Sequence, residues 1–102
     1  MREITLKELK DLQSSNEKII VDFKAKWCGP CKVLIPRLEK IEKDYPSVNF
    51  VMIDIDSDIE SILDMGIRSV PTVLVMDGET LIERINGLQS EEIYKQVLEK
   101  IT

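Results

Sequence analysis

The chain has 102 residues, 43% hydrophobic and 32% charged, with a formal charge of −5; this suits one domain, residues 1–102, whose core needs no compulsory staple. An acidic balance without a basic stripe argues against a nucleic-acid partner, and no apolar run is long enough to span a membrane. The opening MREITLKELK has no apolar h-region and no small-residue cleavage site, so the expectation is a cytoplasmic protein.

The segment REIT reads as a short first strand. Thr5 and Glu8 have capping-box spacing and open a helix with Leu6, Leu9 and Leu12 along one side. KIIVDFK (18–24) is β-branched and apolar and predicts a buried strand. A helix follows from Pro30 to about Tyr45, with Leu34, Leu38, Ile41 and Tyr45 recurring on its apolar face and Arg37, Lys40, Glu42 and Lys43 on its wet face. Pro30 suits the first turn, where its missing N–H is harmless. Pro36 lies inside and predicts a kink, because it cannot bond back to the Lys32 carbonyl.

VNFVMIDI (48–55) predicts a second buried strand. Ser57 and Glu60 read as another capping box, starting a short helix that carries Ile59, Ile62 and Leu63 and stops at Gly66. TVLVM (72–76) and TLIERIN (80–86) are strands joined through Asp77-Gly78, a tight-hairpin signal. The last helix begins near Ser90, with Glu91 and Glu92 complementing its dipole and Ile93, Val97 and Ile101 predicted to be buried. The order β-α-β-α-β-α-β-β-α predicts an α/β fold with a central mixed sheet flanked by helices on both faces. It places Cys28 where a strand hands over to a helix N-terminus, the usual place for a site in an open α/β sheet.

Cys28 and Cys31 are the only cysteines, and there is no histidine. A structural zinc site needs four ligands, so no metal is expected. As a brace, a four-residue loop yields only about 2 kcal/mol before strain is subtracted. Two inert buried cysteines stay open as an alternative, but a reacting dithiol is the favoured reading.

WCGPCK (27–32), the preceding VDF (21–23), Pro36 and GIRSVPT (66–72) stand together in an order and spacing that resemble the thioredoxin family. The likeness in motif runs from about Ile19 to Gly87. It implies a thioredoxin fold and a protein-disulfide reductant, in which Cys28 attacks a client disulfide and Cys31 resolves the mixed disulfide. The implied partners are disulfide-containing client proteins and a flavoprotein of the thioredoxin-reductase type. No bound cofactor is implied, since the electrons reside in the dithiol, and a monomer is expected. Gly29 and Pro30 add no positive charge between the cysteines, which favours a reductant over an oxidase. Two positions depart from the family's familiar pattern: Lys24 stands where a Trp is common, and Met52 where a buried Lys often accompanies the Asp.

Cys28 is expected to be exposed just before the helix. A dipole contribution of about 1.4 kcal/mol lowers a thiol pKa by roughly one unit, and falling nucleophilicity leaves a net rate gain of only about three-fold. The larger effect is therefore assigned to Cys31, whose attack is intramolecular. Asp22 is a carboxylate in a buried strand, where it needs a partner or a raised pKa; the resemblance implies that it carries a raised pKa and takes the proton from Cys31, with Lys24 or Lys26 as distant compensators. The alternative is a strand-end Asp reaching solvent. The resemblance makes Pro71 a cis-proline that turns the Val70 backbone toward an extended peptide. Trp27 is assigned to the substrate rim, with a core position as the alternative. Gly29 allows close approach, and Gly87 does so at the groove edge or serves as a plain turn. A competing class is a redox-independent binding subunit on the same fold.

Overall fold

The computed structural model describes residues 1–102. Seven-residue β2 (Lys18–Lys24) occupies the middle of a five-stranded sheet, hydrogen-bonded to β3 (Val48–Asp54) on one side and β4 (Thr72–Asp77) on the other. Two-residue β1 (Arg2–Glu3) lies outside β3, and β5 (Thr80–Asn86) forms the opposite edge. The order is β1-β3-β2-β4-β5, with β1, β3 and β2 parallel and β4 and β5 antiparallel to their neighbours. This is the mixed sheet that the element order predicts, and the short REIT strand is present.

Strand alternation sends successive side chains of β2 to opposite faces. Ile19, Val21 and Phe23 join Val51, Ile53, Leu74 and Met76 beneath α1 (Leu6–Ser14) and α3 (Ile59–Asp64). On the other face Ile20 joins Phe50, Val73, Val75 and Ile85 beneath α2 (Gly29–Glu42) and α4 (Glu91–Leu98). Leu34, Leu38 and Ile41 of α2 and Tyr94, Val97 and Leu98 of α4 complete that second core. Asp22 belongs to the Ile20 face, so the one carboxylate of β2 lies on the side that α2 covers.

Several local expectations hold. Thr5 caps α1 in a reciprocal capping box with Glu8, and Gly66 ends α3 with φ of 82°. Others are corrected. The helix expected to reach Tyr45 ends at Glu42, although Tyr45 stays buried. Ser57 does not cap α3: Asp54 accepts the Asp56 N–H, closing a 3-10 turn over Ile55–Ser57, and this moves the helix start to an Asp58 cap. Of the three apolar residues assigned to α3, only Ile62 is buried; Ile59 and Leu63 face outward.

The hairpin turn comprises Gly78 and Glu79, because Asp77 still pairs with Thr80. Gly78 has φ of 59°, and a Cβ there would lie 3.1 Å from Asn16 Oδ1, so both conformation and space favour glycine. In α4 the buried face is rotated: Tyr94 and Leu98 enter the core, while Ile93 is exposed.

Leu38 is fully enclosed between α2 and the sheet. Leu38→Ala is expected to lower unfolding stability by about 2–5 kcal/mol, measured as a reduced urea midpoint at an unchanged slope.

Candidate active site

The chain leaves β2 at Lys24, and within five residues it starts α2, with Cys28 as the N-cap in extended conformation. A helix start leaves backbone N–H groups without partners. Here the Cys31 N–H donates to Cys28 Sγ at 3.2 Å, so the sulfur takes the place that a Ser or Asp oxygen fills in an ordinary cap. Cys28 and Cys31 are joined by a disulfide, with their Cα atoms 5.3 Å apart. The helical turn between them brings the two sulfurs within bonding reach, as the dithiol reading requires.

Cys28 is not exposed as expected: it is only 5% accessible, against 1% for Cys31. The oxidised pair packs with Ala25, Ile55 and Val70, and that apolar cluster covers most of the forward cysteine. Trp27 is 69% exposed, and its indole N–H donates to Asp56 Oδ2 at 3.3 Å. This excludes the core position for Trp27 and places it on the surface beside Cys28.

Gly29 and Pro30 form the exposed first turn of α2. A Cβ on Gly29 would meet nothing within 4 Å, so the fold itself does not require glycine there. Val70 precedes a cis peptide bond to Pro71. Its N–H and C=O take no backbone partner in the folded chain, which leaves an open hydrogen-bonding edge next to the disulfide. Gly87 donates its N–H to the Pro71 carbonyl at 2.8 Å and has φ of 77°. It is a turn at the exit of β5 that fixes the back of the Pro71 loop, and the plain-turn reading accounts for its backbone.

Asp22 is completely buried, and neither carboxylate oxygen has a hydrogen-bond partner. Desolvation pushes its pKa from 3.8 up to about 7, while the Lys24 ammonium pulls it back down. The strand-end, solvent-reaching alternative is thereby excluded. Met52 lies directly opposite Asp22 in register and supplies no charge. Lys24 extends to Glu3 Oε1 at 2.7 Å, with its side chain only 12% exposed. Sequence reasoning named Lys24 but missed Glu3, since nothing in REIT signals an ion pair across an intervening strand. Lys26 is exposed.

The arrangement can cycle between dithiol and disulfide: two sulfurs on one helical turn, a backbone donor on the forward sulfur, and a carboxyl that titrates near neutrality on the same face. The Thioredoxin family model matches residues 4–100. The chain is 42% identical over 95 residues to the thioredoxin of Mycoplasmoides gallisepticum, covering 91% of this chain and 95% of that protein. It is 37% identical over 89 residues to the mitochondrial thioredoxin of Bos taurus, covering 86% of this chain and 54% of that protein. The structure of Plasmodium falciparum thioredoxin superposes with a TM-score of 0.88 at 33% identity, over 100% of both chains.

The Asp22 shift fixes the sign of a stability change. Between pH 3.8 and about 7 the folded chain retains a proton that the unfolded chain has released. Stability therefore falls as pH rises through this window and levels off above it; below it, both states are protonated and the penalty vanishes. The full effect is about three pKa units, or roughly 4 kcal/mol. In the oxidised protein Asp22→Asn is expected to remove this slope, measured as the urea midpoint between pH 3 and 9. Gly29→Ala is expected to change the unfolding free energy, read from the same urea titration, by no more than about 1 kcal/mol, because no atom stands in the way of the added methyl.

Proposed function

Since the chain belongs to the thioredoxin family and exchanges dithiol for disulfide through Cys28 and Cys31, we propose that it is a reductant of protein disulfides, recharged by a flavoprotein reductase. The observation that carries this reading is the Cys31 N–H donating to Cys28 Sγ at the start of α2. In the reduced protein that bond is charge-assisted when Cys28 is a thiolate, and it favours the nucleophilic form.

The cycle balances as follows. The Cys28 thiolate attacks one sulfur of a client disulfide, forming a mixed disulfide and releasing the other client sulfur as a thiolate. The Cys31 thiol gives its proton to the Asp22 carboxylate and attacks Cys28 Sγ. The second client sulfur then leaves as a thiolate. The client gains two electrons, and the Cys28–Cys31 disulfide remains for the reductase to reduce. A carboxyl titrating near pH 7 can both accept and return a proton at neutral pH, which supports Asp22 in this role.

The client peptide is proposed to lie extended along Val70, using its unpaired N–H and C=O as a one-residue strand edge. Cis-Pro71 holds that edge beside the sulfurs, with Gly87 tied behind it. Exposed Trp27, Gly29 and Pro30 would form the facing rim. Gly29, free of any packing demand, would let a bulky client approach Cys28. Both sulfurs, Asp22 and the Val70 edge come from one copy of the chain, which supports a monomer acting as one domain. That the only two cysteines are the exchanging pair suits a reducing compartment, and we assign the protein to the cytoplasm.

Dithiothreitol-driven reduction of a generic protein disulfide tests this reading. Cys28→Ser is expected to abolish turnover, and Cys31→Ser to accumulate the mixed disulfide, visible by mass spectrometry. Retention of the biological effect in the double serine variant would instead favour a redox-independent binding subunit.

A further inference from the structure

The face of the sheet that carries Asp22 also carries an ion pair. Lys24 follows Asp22 by two residues on β2, so both side chains emerge on the same side. Glu3 on β1 stands opposite Met52 on β3, which stands opposite Asp22 on β2. Lys24 therefore reaches back across β3 to bond Glu3 at 2.7 Å, and its stem is largely enclosed. Free in solution, an ammonium on a four-carbon stem would swing into water. Here it is fixed near the row that contains Asp22.

We infer that Lys24, anchored by Glu3, is the positioning residue that keeps Asp22 able to ionise at neutral pH, and so sets the pH at which Cys31 can be deprotonated. The inference rests on Asp22 being the proton acceptor. The other groups facing that carboxyl do not supply a compensating charge. Met52 and Val73, its neighbours in register on β3 and β4, are neutral. Asp54, opposite Lys24 in register, can add only negative charge. Tyr94 of α4 has its own pKa raised by burial, with a contribution from the Asp22 charge. The Cys28–Cys31 pair of α2 contributes negative charge when reduced and ionised. Lys18 shares the parity of Asp22 but lies at the far end of β2.

The Lys24 charge lowers the Asp22 pKa even while it is bonded to Glu3, so removing that charge moves the Asp22 midpoint upward. Lys24→Met keeps the apolar stem and removes the charge. It is expected to raise the Asp22 midpoint by about one pH unit, read from its carboxyl carbon by NMR in the folded, reduced protein. The acidic limb of the pH–rate profile for disulfide reduction is expected to rise by the same amount. Lys24→Arg is expected to restore both, and Lys26→Met, at an exposed position, to change neither.

Lys24→Gln repeats the charge removal with a shorter stem, should the methionine variant fold poorly. An Asp22 midpoint unmoved in a folded Lys24 variant overturns the assignment of Lys24 and leaves the proton-acceptor role of Asp22 standing. A midpoint that moves while the pH–rate profile stays fixed overturns that role, and with it any part for Lys24 in exchange.

Discussion

A single backbone donor joins the reaction to the fold. The first turn of α2 has N–H groups that no carbonyl can satisfy, and one of them, on Cys31, points at the sulfur of Cys28. The cap that begins the helix and the group that reacts are thus the same atom. The position of that atom is set by β2, whose hydrogen bonds on both sides leave its end little freedom. The forward sulfur is therefore placed by the most constrained strand of the molecule.

The same strand brings in the least comfortable group of the fold. Asp22 has no hydrogen-bond partner and no water-accessible surface, a situation that proteins otherwise avoid. Burying an ionisable group without partners opposes folding at neutral pH, yet it is also what moves a carboxyl into the range where it can exchange protons with a thiol. Met52 opposite it does nothing to relieve this. Lys24 relieves it in part, at a distance, while bonded to an acid on another strand. Burial pushes the Asp22 pKa up and the Lys24 charge pulls it down, so its ionisation is set by these two opposing effects.

How far the sequence could be read depended on the range of the interaction. Strand identities, the start and apolar face of α2 and the Thr5 cap follow from periodicities and spacings within one turn, and all were legible, whereas the end of α2 was placed three residues late. The cysteine pair and Asp22 were legible because each is chemically out of place in its segment. The start of α3 was not, because two residues compete for the cap and the side chain of Asp54 decides between them. The buried face of α4 was misread by choosing Ile93 over Tyr94. Aliphatic character suggested the wrong one, whereas the large ring fills the space beneath α2 and offers its hydroxyl to the Gln89 N–H. The covering of Cys28 and the Lys24–Glu3 pair depend on elements far apart in the chain, and no local pattern encodes them.

The outer edge strand β5 raises a different matter, that of company. The outer edge of this seven-residue strand has no neighbouring strand and is an invitation to another copy's sheet. Glu83 and Arg84 stand in the middle of this strand, and the register slips between Val75 and Met76 beside it. The Arg84 guanidinium is held by the Gly66 carbonyl and Asn86 Oδ1, which keeps its charge at the margin. A second strand laid along β5 would have to bury those charges and follow an irregular ladder. The edge of the sheet away from the disulfide thereby discourages the attachment of further strands.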